Sequence, residues 1–438
     1  MKKYLLACAV LLGGFAAQAQ AALQIQSWSL ANGARVLFVE NHAIPMLDLS
    51  IEFDAGSRRD PTGKSGLASL TQAMLTRGVA ASGDAPALTE AQILDGLADV
   101  AAQRGGGAGM DRAGVTLRML SSAVERDAAV GLLARTLAQP SFPADLFSRD
   151  KARTIAEVKE SQTKPEDIAA RAFWAAVYGQ HPYARRETED SIAAITRDDL
   201  VAFHRDHYVA NRAVIAMIGD VTRAQADGIA QRLTQQLPQG AALPALPEVA
   251  VGTQQEKRIA HPASQSHILI GMPALVRGDP DFFALTVGNY ILGGGGFVSR
   301  LTNEVREKRA LSYSIYSYFS PLAQQGPFQI GLQTKQDQTD EALGVVRRTL
   351  AAYLRDGPSA AELKAAKDNL IGGFALRIDN NRKILDNLAV IGYYRLPLDY
   401  LDTWTTNIGK VTIAQIREAF QRKIALDQLT TVVVGEAN

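Results

Sequence analysis

A chain of 438 residues implies two or three domains, and 47% hydrophobic with 21% charged residues is the balance of a folded globular protein without long disordered tracts. A formal net charge of +1 excludes nucleic acid or an anionic membrane as the main partner, and no basic block or RNA-binding signature changes that reading. The single cysteine, Cys8, lies in an N-terminal leader, so disulfides, thiolate metal sites and cysteine nucleophiles are excluded from the mature chain.

Residues 1–21 read as a secretory signal peptide. Lys2 and Lys3 form the charged start, a short apolar core follows, and the small residues of AQAQA offer two cleavage sites. Leu5-Leu6-Ala7-Cys8 only loosely imitates a lipoprotein site, because almost no apolar core precedes it. The core is too short to span a bilayer and no later run is long enough, so the expected localisation is periplasmic, with no membrane span.

Two β-branched segments, Arg35–Glu40 and Met46–Phe53, predict a hairpin. A polar turn region at 56–66 precedes a predicted helix over 67–77, and Thr89-x-x-Gln92 predicts a capping box opening a helix that runs to about Gln103. The glycine run 105–109 predicts a flexible turn, and alternating Val115, Leu117 and Met119 predict a strand. Ala123–Ala138 is a helix stopped by Pro140 and Pro143, and 150–176 predicts one long helix. A helix over 195–203 and a buried strand over 213–219 close this part, and the proline-rich, uncharged 237–247 is the best linker in the chain.

Past the linker the pattern restarts. Ile195 to Phe203 and its strand AVIAMIGD have a counterpart in Val411 to Phe420 and LTTVVVGE. Both copies run helix, gap, apolar strand, then glycine and an acid, which implies a duplicated domain of about 200 residues. The expected organisation is a leader at 1–21, one domain over 22–236, a linker over 237–248 and a second domain over 249–438. The fold class is α+β: two homologous domains, each a mostly antiparallel sheet covered by helices. Two such halves can close on each other like a clam.

The segment Ile291 to Phe319 concentrates the chemistry. Gly293, Gly294, Gly295 and Gly296 lead into a charged helix bearing Arg306, and Tyr313 stands where a tyrosine-rich strand begins. Guanidinium and phenol are both hydrogen-bond donors suited to gripping a peptide carbonyl. The glycine run lacks the Gly-Lys-Ser/Thr ending of a phosphate loop. Elsewhere, His204-x-x-His207 is a minimal metal pair that a helix end explains equally well, and His42, His181, His261 and His267 are isolated.

The duplication, GLAxLxxxML at Gly66 to Leu75, REKRALSYS, Ala55-Gly56-Ser57, His181-Pro182-Tyr183 and Ser299-Arg300-Leu301 together resemble the pitrilysin/insulinase family of zinc peptidases over nearly all of the mature chain. Catalytic members carry an inverted H-x-x-E-H on the helix after the G-L-A segment: two histidines on one helical face hold zinc, and the glutamate serves as general base. Here those positions are Ser69, Gln72 and Ala73, and the family's later glutamate ligand matches Glu157. Serine is a poor zinc ligand, alanine has no donor atom and glutamine is no base, so no metal or other cofactor is expected in this chain.

The resemblance implies that Gly293 to Gly296 face substrate, and that Arg306 and Tyr313 hold the substrate backbone and stabilise the tetrahedral intermediate. It also implies a split in which one chain supplies zinc and its homologue supplies the Arg/Tyr pair. The expected function is the zinc-less subunit of a secreted heterodimeric metallopeptidase, with zinc in a homologous partner and peptides as substrates. The alternative is a non-enzymatic periplasmic peptide-binding or scaffold protein on the same fold.

Overall fold

The computed structural model describes residues 23–250 and 252–435; the expected leader lies outside them. The first half runs β1 (Gln26–Ser29), β2 (Arg35–Glu40), β3 (Met46–Phe53), α1 (Leu67–Met74), the small pair β4 (Gly78–Val79) and β5 (Leu88–Thr89), and α2 (Glu90–Ala98). It continues through β6 (Gln103–Ala108), β7 (Ala113–Leu120), α3 (Ala123–Ala138), α4 (Ala144–Ser161), α5 (Pro165–Tyr178), α6 (Glu189–Ala193), α7 (Arg197–His207), β8 (Val214–Gly219) and α8 (Arg223–Thr234).

The second half runs β9 (Gln255–Ile259), β10 (Gln265–Leu275), α9 (Phe282–Asn289), β11 (Ile315–Phe319), β12 (Gly326–Lys335) and α10 (Thr339–Asp356). It ends with α11 (Ala360–Gly372), α12 (Asn381–Tyr394), α13 (Tyr400–Lys410), α14 (Ile413–Lys423) and β13 (Thr430–Val434). Among the described residues no helix is long and apolar enough to cross a membrane.

Each half builds one sheet. The first is ordered β1-β2-β8-β3-β7-β6 and the second β11-β12-β10-β13-β9. Each contains a single parallel pair, β2 with β8 and β13 with β9, while every other pairing is antiparallel. The strand after α7 and the strand after α14 thus take equivalent interior places, each next to the parallel partner. Both preceding helices open on capping boxes, Thr196 with Asp199 and Thr412 with Gln415.

Three local expectations are corrected. Arg35–Glu40 and Met46–Phe53 do not form a hairpin, because β8 lies between them and pairs with both. All six residues of β8 are buried, and a strand apolar on both faces belongs in the middle of a sheet. The glycine run expected as a turn is the edge strand β6, antiparallel to β7. Its glycines permit close backbone approach: a Cβ at Gly106, where φ is +108°, would lie 2.2 Å from the Gly114 carbonyl. This strand also ends α2 early, at Ala98. The long helix expected over 150–176 is two helices, α4 and α5, with Pro165 at the start of the second.

The halves exchange helices. α5 leaves the first half and lays Phe173, Val177 and Tyr178 on the second sheet against Val432 and Val434. The fit requires glycine at 271, where a Cβ would stand 2.9 Å from the Phe173 ring. In return α12 places Ile384, Leu385, Leu388 and Ala389 on the first sheet against Val39, Ala216 and Ile218. This is why VLFV and VIAMIG are apolar without alternation. It also makes each half part of the other's core.

A buried polar hub sits at this seam. Asp111, 2% exposed, accepts from Arg58 Nη1 at 2.7 Å, the Tyr183 hydroxyl at 2.6 Å, the Tyr394 hydroxyl at 2.7 Å and the Ala323 backbone N–H at 2.8 Å. The Tyr393 hydroxyl donates to its backbone carbonyl at 2.7 Å. The segment 237–248 is tied to the first half: Ala210 N–H donates to the Pro238 carbonyl at 2.8 Å and Arg59 Nη1 to the Pro244 carbonyl at 2.9 Å.

Candidate functional site

The helix expected to carry the zinc motif is α1. Asp60 caps it, its two oxygens accepting from the backbone N–H groups of Gly66 at 2.7 Å and Ala68 at 2.8 Å. Burial pushes the Asp60 carboxyl up to about 7, against the downward pull of those two donors. One turn on, Ser69 is half-buried and Ala73 is exposed. Gln72 is 5% exposed and turned into the protein, where its Nε2 donates to the Gly114 carbonyl of β7 at 2.7 Å. Its Oε1 is buried without a partner.

Glu157 lies on α4 with its side chain largely in water, 3.5 Å from Arg153 of the same helix. Among the described residues no group of three or more His, Cys, Asp or Glu is placed to hold a metal ion. These residues do not fit zinc. The amide at 72 braces α1 on β7, and Glu157 is a helix-surface charge.

The histidine pair is not a metal site either. His204 Nε2 meets the Leu137 carbonyl at 2.7 Å and His207 Nδ1 meets the Asp54 carbonyl at 2.8 Å, so the two rings are committed to different backbone oxygens. Burial lowers both pKa values, which favours neutral imidazoles that donate to those carbonyls. His42 is an exposed link to Asp220 and Glu40, His181 caps the turn at Pro182, and His261 bridges to Thr163 and Ala263.

The second half places its residues differently. The glycine run continues α9 as a wider, π-type turn over Tyr290–Gly294, followed by a short 3-10 turn over Gly296–Val298. Gly293 is buried, and a Cβ there would come within 2.4 Å of the Ser317 hydroxyl on β11. Its role is close packing, and Gly294 and Gly296 form the exposed part of the run. Arg306 sits in a second π-type turn, Thr302–Glu307, and Tyr313 precedes β11.

The structure brings Arg306 and Tyr313 together. The guanidinium carbon lies 4.9 Å from the Tyr313 ring centroid and 4.6 Å from that of Phe297. Tyr313 is 84% exposed and Phe297 68% exposed. Arg306, half-buried itself, thus lies over both rings, with a longer contact of 3.4 Å to Glu307. Each such face contributes about 0.5–1 kcal/mol at an exposed site and leaves the N–H groups free to donate in the ring plane. Phe297 went unnoticed in the sequence, although a large apolar residue directly after a glycine run was its signal.

Beside Tyr313 a cavity of 260 Å³ opens between α5 and the second sheet, with Tyr316, His267, Gln333 and Glu166 in its wall. Tyr316 stacks on Tyr318 at 5.9 Å along the edge strand β11. The site therefore joins a cationic donor, exposed aromatic rings and a pocket, and it draws one wall from each half.

A family model described as the peptidase M16 inactive domain matches residues 194–370. A crystal structure of a peptidase M16 inactive domain from Pseudomonas fluorescens superposes with a TM-score of 0.90 at 37% identity, covering 95% of this chain and 98% of that one. The chain belongs to the peptidase M16 family. A Helicobacter pylori relative named non-peptidase homolog YmxG is 26% identical over 440 residues, 99% of each chain. A Bacillus subtilis relative named uncharacterized zinc protease YmxG is 24% identical over 366 residues, covering 83% of this chain and 87% of its own.

The expected resemblance and fold class are both met. Near the segments that suggested the resemblance, Gly56 lets the chain pass against Asp111 and Arg112, Arg58 and Tyr183 grip Asp111, and Ser299 Oγ bonds to Thr302 at 3.0 Å.

Proposed function

We propose that this protein is a zinc-less, peptide-holding subunit that completes the active site of a zinc-bearing M16 homologue outside the cytoplasm. Arg306 and Tyr313 donate to the substrate backbone and to the oxyanion that forms when the partner's water attacks. Zinc is held by the partner, and this chain is inactive alone. The observation that carries the reading is a contrast: Gln72 is folded inward as a brace, while Arg306 lies against the exposed rings of Phe297 and Tyr313. Two exposed rings flanking a half-buried guanidinium serve no core, and the arrangement suits a ligand's carbonyl.

The experiment purifies the mature protein from its native cell envelope and measures co-purifying chains, bound zinc and peptide hydrolysis together. A homologous partner, about one zinc per pair and hydrolysis absent from either chain alone establish the reading. Hydrolysis unchanged by Arg306→Ala in that pair removes it.

A second reading, peptide capture without hydrolysis, draws on the M16 relative named as a non-peptidase homolog. It predicts peptide binding by the isolated chain with no zinc-bearing partner recovered.

A further inference from the structure

A second cleft, of 420 Å³, lies at the seam of the halves and takes no part in the proposed peptide site. Its wall gathers Arg35 from the start of β2, Arg212 before β8, Arg277 after β10 and Arg395 at the end of α12. Arg58 and Asp54 complete its charged lining.

The charges in this cleft do not balance. Asp54 is engaged by Arg58 at 3.0 Å and by Arg59 at 2.7 Å, and Arg58 is further held by the buried Asp111. Among the described residues, no carboxylate forms an ion pair with Arg35, Arg277 or Arg395. Arg277 instead lies over the Tyr394 ring at 5.1 Å, and its Nε is buried without a partner. Arg212 donates to the Ala241 and Asp206 carbonyls, and its Nε too is buried and unpaired. Arg35 and Arg395 are close enough to repel: burial and the charge of Arg395 both pull Arg35 below its ordinary value. Arg395 also adopts φ +56°, in the left-handed region that glycine normally fills at a helix end.

Four guanidinium groups lining one cleft, whose lining carboxylate Asp54 is already held by Arg58 and Arg59, raise the energy of the folded state unless an anion neutralises them. Their planar forks match the oxygens of phosphate groups in paired hydrogen bonds. The volume falls within the about 300–1,000 Å³ usual for small-molecule sites, which exceeds the need of a single chloride. We propose that this cleft binds a compact phosphate-class polyanion, held by Arg35, Arg277 and Arg395 together with Arg212. A ligand there contacts both halves at once, and it stabilises the seam by mass action.

Inorganic pyrophosphate is the probe, with inorganic phosphate, citrate and sodium chloride at matched ionic strength beside it. Calorimetry on the full mature chain should show saturable pyrophosphate binding, weaker phosphate binding, and a thermal midpoint that rises with pyrophosphate concentration. Arg277→Gln and Arg395→Gln should each weaken pyrophosphate about tenfold to hundredfold, the range expected for losing a charged hydrogen-bond donor. Arg35→Gln supplies the second readout. By relieving repulsion it should leave the anion-free midpoint unchanged or higher while shrinking the pyrophosphate-induced rise.

A midpoint that follows ionic strength whatever the anion overturns the site. Citrate binding as tightly as pyrophosphate overturns the phosphate class, and unchanged affinity in the arginine variants overturns the location.

Discussion

The two places where this fold could carry peptidase chemistry have opposite relations to water. In the first half, α1 points Gln72 into the core and its remaining positions offer no ligand. In the second half, the Phe297–Arg306–Tyr313 stack stands largely outside any core. The first region spends its amide donor on a backbone carbonyl, whereas the second sets a guanidinium between two exposed rings. Substitutions should therefore cost stability in the first region and function in the second.

The largest effect lies between the two, at the seam that holds them in register. Asp111→Asn leaves the buried Arg58 short of a full partner and should cost about 3–5 kcal/mol, seen as a lower urea midpoint at unchanged slope. Next comes Arg306→Ala, which should slow hydrolysis by the paired enzyme about 10²–10³-fold while the urea midpoint of this chain stays put. A large fall in that midpoint would show that the stack is structural and end the contrast.

Gln72→Leu is the converse. It should cost about 1 kcal/mol in unfolding and leave peptide affinity as it was, which a fluorescence titration against a fixed peptide would check.

The smallest effect concerns pH. His42 is raised by its hydrogen bonds to Asp220 and Glu40, so its contribution is full below its unfolded value, near 6.5, and is lost as pH climbs through the raised folded value. Asp220 is held below the usual carboxylate range by His42, so the pair also weakens in acid, once Asp220 takes up its proton. The midpoint difference between wild type and His42→Gln should peak in mildly acidic buffer and vanish in alkaline buffer.

What was legible in the sequence was local. The capping box at Thr89 and Gln92 formed, and Ala123–Ala138 is one helix. The misreadings arose where distant segments decide. Arg35–Glu40 looked like half a hairpin because β8, nearly 180 residues on, is invisible to local pattern. The run 105–109 looked like a turn because only the neighbouring Gly114 makes glycine useful in an edge strand. The arginine cleft collects residues from four separate elements. Phe297 gained meaning only once Arg306 was placed beneath it.

The helix exchange has a consequence for how the chain comes to be folded at all. Val39, Ala216 and Ile218 are covered by α12, which is synthesised long after all three. Until Asn381–Tyr394 arrives, the first sheet presents an uncovered apolar face, a surface that favours aggregation and chaperone binding. A fragment cut at the proline-rich segment would keep that face permanently bare. Neither half is then expected to stand alone, and a holding chaperone is expected to accompany the chain until α12 has been made.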